Sequence, residues 1–191
     1  SNHESNLVVW YKFDDDLIKD SSSNHINLTN VGIVSETTNY IKGTSSAFFD
    51  FPSYGNSVNS FVIDTNSSRL YDTGINNTES GITISTWCSI TTPPNNDARR
   101  LFFGGTNGSA KHINAYAIYM SSVSMGFYVT KNSGFEGFYP EIDIPIFSEW
   151  FQLTWVIVLN STDLTAKIHT WNIYINGIFV KEFTNQYFPM I

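Results

Sequence analysis

Two carboxylates stand one residue apart in Glu141-Ile142-Asp143-Ile144. Side chains on an extended strand alternate between faces, so Glu141 and Asp143 fall on one face and the isoleucines on the other. Paired carboxylates are the equipment of glycoside hydrolysis, one as nucleophile or base and another as acid. The same pair also serves an edge strand as solvated charge that discourages aggregation. Elimination on an acidic polysaccharide would need a base, plus a cation to neutralise the uronate. Tyr128, Lys131, Tyr139, His112, His169, Arg99 and Arg100 are the right residue types, and their spacing does not assemble them. Cys88 alternates in phase with Ile84 and Ile90, the setting of a small buried hydrophobe and not of an accessible nucleophile. No HExxH, Walker loop or paired-histidine zinc spacing occurs.

Two further groups of residues suit binding. Asp14, Asp15, Asp16 and Asp20, followed by Ser22 and Asn24, make an oxygen-rich loop fit for a hard cation such as calcium, without EF-hand spacing. A solvated acidic turn is the alternative. Sugars present apolar faces to aromatic rings and hydroxyls to amides and carboxylates. Trp87 lies on the Thr83/Ser85/Ser89 face of its strand and not with the isoleucines, and Tyr119, Tyr128 and Tyr139 sit in neighbouring strands or turns. Those four aromatics are the glycan-binding candidates, with a core role as the other reading of Trp87. Asn27, Asn66, Asn76, Asn107 and Asn160 stand in Asn-X-Ser/Thr sequons.

The elements that must position these residues read as strands throughout. The apolar run over 151–158 is nearly continuous and predicts a central strand buried on both faces. Over 168–175, His169, Trp171, Ile173 and Ile175 alternate with Ile168, Thr170, Asn172 and Tyr174. Asn176-Gly177 then supplies two residues that tolerate positive φ, a hairpin signal. Strands are also expected over 7–13, 26–34, 45–51, 57–63, 82–90, 99–103, 114–120, 125–130 and 135–144, with one helical turn allowed at 67–71. Pro52-Ser53-Tyr54-Gly55 joins the fourth expected strand to the third. Turn signals at about ten-residue intervals point to a sandwich or jelly roll and away from a parallel α/β sheet.

At 191 residues the chain suits one domain over 7–191, with 1–6 (SNHESN) set aside as a tag or processing remnant. The net charge is -7 and the basic residues are scattered, which leaves no footprint for nucleic acid or an anionic membrane. No apolar run reaches membrane-spanning length, so membrane insertion by a helix is not expected.

Read together, LVVWYKFDDD…DSSSN, GTSSAFFDF, GITISTWCSI, SEWFQLTWVIV and WNIYINGIFV resemble the laminin-G-like domain of the concanavalin A-like lectin/glucanase superfamily. The resemblance runs over 7–183 and rests on the order and gaps of motifs that are weak singly; it bears on the fold and not on an activity. It implies an all-β, two-sheet antiparallel jelly-roll sandwich, met in secreted or surface proteins that contact glycans. It also implies a structural calcium near the first strand, for which Asp14, Asp16 and Asp20 are the candidates. Retaining glycosidases of the superfamily use the Glu-x-Asp spacing with a third acid, and here that third position is Pro145, with Glu149 beyond it. Such domains finish with a strand carrying an Ile-Asp pair near the first strand, whereas this chain stops at Pro189-Met190-Ile191. An edge left open at 7–13 would accept a second copy or a bound fragment.

The resulting expectation is an extracellular or surface-exposed glycan-recognising module, part of a larger protein, that binds a cell-surface or cell-wall polysaccharide. The alternatives are a polysaccharide-degrading glycosidase or lyase acting through Glu141 and Asp143 or by elimination, and a protein–protein adhesion domain.

Overall fold

The computed structural model describes residues 7, 9–14, 16–48, 60–63, 81–90, 99–104, 116–120, 124–131, 134–138, 141–143, 148–159 and 168–187. The turn at 52–55, the helical turn at 67–71, Asp15, His112, Tyr139, Pro145 and the sequons other than Asn27 lie outside them. Among the described residues the protein is all-β, with antiparallel strand pairs and no helix. Its contacts gather into two compact units, Ser1–Thr73 and Gly74–Ile191.

In the first unit β1 (Leu28–Val31) pairs with β4 (Ser60–Ile63), and β2 (Val34–Glu36) with β3 (Ser46–Phe48). The third and fourth strands therefore serve different ladders. The strand expected over 7–13 does not form among the described residues: Tyr11 makes one isolated bridge to Asp20. The cause lies in tertiary hydrogen bonds that compete with a ladder. The Trp10 N–H donates to the Asp20 carboxylate and the Trp10 carbonyl accepts from the Ser21 N–H. Phe13, at φ 59, is in the left-handed region that a strand cannot use. The row of unpaired backbone groups expected at this edge is thus partly consumed inside the unit.

The second unit holds two sheets. One runs β13-β12-β11-β5, from β13 (Ile178–Tyr187) through β12 (Ile168–Ile175) and β11 (Trp150–Leu159) to β5 (Gly81–Ser89). The other runs β10-β8-β7-β6, from β10 (Glu141–Asp143) through β8 (Ser124–Lys131) and β7 (Tyr116–Met120) to β6 (Arg99–Gly104), with β9 (Gly134–Phe138) also on β8. The single strand expected over 135–144 is therefore two. Pro140, which has no N–H to give a ladder, stands between them. The Asn176-Gly177 turn has φ 52 and 76, and β12 and β13 flank it directly, as the dipeptide predicts.

Alternation decides what is buried. Phe151, Leu153, Trp155 and Ile157 of β11 are buried, while Gln152, Thr154 and Val156 are half-buried and Val158 is exposed. The strand is central, and it is buried on one face only; the expectation of two buried faces fails because β-branched Val156 and Val158 sit equally well on a half-solvated sheet surface. Trp171, Ile173 and Ile175 of β12 and Cys88 of β5 join this core, as do Met125 and Phe127 of β8 and Ile142 of β10. Phe127 meets Trp155 edge-on at 5.3 Å between ring centroids, and Trp155 meets Trp171 at 5.0 Å. Edge-to-face contacts set the positive rim of one ring against the negative face of another, adding about 0.5–1.5 kcal/mol each to the burial itself.

Candidate functional site

Trp87 is 45% exposed. Its neighbours in the strand, Thr86 and Cys88, are half-buried and buried, so the indole stands on the face turned away from the core. Register places Trp87 opposite Gln152 and Ser85 opposite Thr154. Thr154 lies opposite Tyr174 on the next strand, and Tyr174 opposite Phe179. Hydrogen bonds link these side chains across strands. Ser85 Oγ and Thr154 Oγ1 are 2.9 Å apart, and Gln152 Nε2 donates to Ser85 Oγ at 3.2 Å. Asn176, held at positive φ by the turn, accepts the Gln152 N–H on its Oδ1 at 2.8 Å and donates its own N–H to the Gln152 carbonyl at 2.8 Å. Tyr174 and Phe179 meet edge-on at 5.7 Å. Around Trp87 the outer surface of this sheet therefore carries linked hydroxyl and amide side chains, and farther along the same phase Val156, Val158 and Phe179 make it apolar.

The other sheet carries the carboxylate pair. Ile142 is buried opposite Met125, so Glu141 and Asp143 take register positions on the phase away from the core, opposite Gly126 and Ser124. Asp143 is exposed. Gly126 lies opposite Tyr119 in turn, and Tyr119 opposite Arg100. Glu141, Gly126, Tyr119 and Arg100 thus follow one another across β10, β8, β7 and β6, with Tyr128 two residues along from Gly126. Ser124 and Gly126 are buried although they are out of phase with Met125 and Phe127.

Register separates the glycan-binding candidates. Inner residues of both sheets meet in one cluster, so the outward phase of one sheet faces away from that of the other. Trp87 belongs to the first surface; Tyr119 and Tyr128 take positions on the second, with Glu141 and Asp143. Local alternation could assign each residue a phase but not a sheet, because sheet membership depends on pairings distant in sequence. Gln152 and Asn176 were missed for the same reason. Asn176 reads in sequence as a turn residue, and only its pairing with β11 shows that its amide is held in place.

The acidic loop is bonded to its own chain. Asp20 is 1% exposed, and its carboxylate is filled by protein donors. Oδ1 accepts the N–H groups of Trp10 and Ser22, each at 2.8 Å. Oδ2 accepts the Ser22 hydroxyl at 2.6 Å and the Ile26 N–H at 2.8 Å. Burial would raise the Asp20 pKa, but the Ser22 hydroxyl and the N–H groups of Trp10, Ser22 and Ile26 outweigh it and hold the carboxyl below its ordinary value. Tyr11 is pushed up to about 12 by burial and by the negative charge of Asp20. Asp16 accepts the Ile18 N–H and Asp14 the Thr44 N–H. Among the described residues no group of three or more His, Cys, Asp or Glu side chains is gathered to hold a metal ion.

Cys88 is buried, and that burial pushes its thiol up to about 12, which suppresses the nucleophilic thiolate. Comparison of the chain with protein-family models, with curated proteins and with solved structures finds no match.

Proposed function

We propose that this chain is a glycan-recognising module acting at a cell surface or cell wall, with the jelly-roll sandwich as its finer architecture. The exposed indole of Trp87, standing on a surface of hydroxyl and amide side chains, carries this reading. An aromatic ring with ordered polar neighbours matches the two kinds of surface a sugar presents, apolar C–H faces and hydroxyl edges. A buried Trp87 would have argued for a core role. Retention on a panel of immobilised polysaccharides and cell-wall preparations tests the proposal. Wild type should be retained and Trp87→Ala should not, with both proteins folded at the assay temperature. Equal retention of the two proteins would reject it.

The register of the second sheet favours hydrolysis as a second reading. It places Glu141 and Asp143 on one phase, with Tyr119 and Arg100 in the row of Glu141. In that reading Glu141 is the nucleophile or base and Asp143 its partner. Glu141→Gln should then abolish release of reducing sugar while leaving retention intact.

A further inference from the structure

We infer that the recognition surface is centred on one row of three residues, Trp87, Gln152 and Asn176, and that it takes an uncharged sugar. The inference rests on the glycan-binding reading of Trp87 and specifies its chemistry. The three residues stand side by side at one end of the sheet. Trp87 is opposite Gln152 in register, and Asn176 is tied to the Gln152 backbone by two hydrogen bonds, one from its own N–H to the Gln152 carbonyl and one from the Gln152 N–H to its Oδ1. At ordinary strand spacing the row spans about 10 Å, the width of a short saccharide.

Each amide is fixed by one end and available at the other. The Oδ1 of Asn176 accepts a backbone N–H, and only an oxygen can do that, so the amide NH2 is directed elsewhere. Gln152 gives Nε2 to Ser85, whose oxygen is in turn 2.9 Å from Thr154 Oγ1, and keeps its Oε1. Among the described residues neither the Asn176 NH2 nor the Gln152 Oε1 has a hydrogen-bond partner. Beside the Trp87 ring the row therefore offers a donor and an acceptor whose positions are set before a ligand arrives, and ordering them on binding costs little. Sugar hydroxyls, which donate and accept at once, suit such a pair.

Charge selects among sugars. Trp87, Gln152, Asn176, Ser85 and Thr154 have uncharged side chains. The one charged residue at an outward register position among the described residues of these strands is Glu182, opposite Asn172, and it is negative. Lys181 pairs with the core residue Ile173 and so belongs to the other phase. A uronate or sulfate placed on the row would meet no cation at an outward register position among the described residues of these strands, and would lose hydration there without replacement.

Affinity electrophoresis of the full chain tests this, in gels containing neutral polysaccharides (β-glucan, mannan, xylan) or acidic ones (alginate, polygalacturonate). Asn176→Asp keeps the oxygen acceptor and a residue that tolerates the left-handed turn, while removing the NH2 donor and adding negative charge. Retardation of wild type by a neutral polysaccharide, reduced at least tenfold in Trp87→Ala and Asn176→Asp, is the expected result. Retardation by acidic polysaccharides alone, still lost in Trp87→Ala, would overturn the row chemistry and leave the glycan reading standing. Retardation that survives Trp87→Ala, or is absent in every gel, would overturn both. A circular-dichroism melt of each variant, with the midpoint well above the assay temperature, assigns any loss to the row and not to unfolding.

Discussion

The Asp20 loop and the Trp87 row are both polar constellations on a β-framework, and they differ in what their polar atoms do. Every oxygen of the Asp20 carboxylate is committed to a donor from residues 10, 22 or 26. In the Trp87 row each amide is committed at one end only. A saturated cluster ties its own chain together, because the desolvation of each group is offset by a partner already present. A cluster with atoms left over has something to offer a ligand. Residue type does not separate the two cases, since the aspartates after residues 7–13 suggest a cation and Asn176-Gly177 suggests a turn. Hydrogen-bond accounting does separate them.

The largest effect should come from removing the saturated side. Asp20→Ala deprives four donors of their acceptor and should destabilise the first unit by ~3 kcal/mol, at the upper end for hydrogen bonds to a charged group. Amide hydrogen exchange at Trp10, Ser22 and Ile26 should accelerate accordingly, with polysaccharide retention unchanged. Retention lost along with the protection would break the comparison. The lowered Asp20 pKa gives the same contrast in pH. A carboxyl whose folded pKa is lowered contributes stability above its unfolded pKa, and that contribution disappears as pH falls through the folded value. Protection of those three amides should therefore decline below about pH 4, the unperturbed carboxylate range. The Trp87 row, which has no group titrating there, should respond to acid only through the fold.

Two glycines sharpen the comparison by smaller amounts. Gly43 (φ 86) and Gly177 (φ 76) both use left-handed backbone. A Cβ on Gly43 would collide with the Asp14 carboxyl, whereas one on Gly177 would meet nothing within 4 Å. Gly177→Ala should therefore cost only the conformational penalty of ~1 kcal/mol, and Gly43→Ala more than that. Thermal melts of the two variants settle the order. Trp87→Ala should cost about 1–2 kcal/mol, because its ring is half in solvent and half packed on the sheet. A loss of ~3–5 kcal/mol, the figure for truncating a core tryptophan such as Trp155, would return Trp87 to the core.

Much of the second unit was legible where the signal was local. Alternation over 82–90 put Cys88 inward and Trp87 outward, and Asn176-Gly177 announced its hairpin. The residues 7–13 were misread because β-propensity gave way to the Asp20 carboxylate, a partner ten residues from Trp10 whose role no local pattern reveals. Glu141 and Asp143 could be assigned a common phase, but the row with Tyr119 and Arg100 depends on three strand pairings. The meeting of Gln152 with Asn176 depends on one more. Face is a local property of a strand; neighbourhood is not.

Cys88 follows Trp87 directly in the strand, and its thiol is closed off by the core. Because β5 pairs with β11 alone among the described strands, opening of that edge is the event that would expose the sulfur. Alkylation by a maleimide then becomes a clock for peeling of the edge strand, readable by mass without any added label. A saccharide that bridges Trp87 to Gln152 and Asn176 would fasten β5 to its neighbours and slow the clock. The same neutral polysaccharide that retards the chain in a gel should therefore lengthen the lifetime of an unmodified thiol on the opposite side of the sheet.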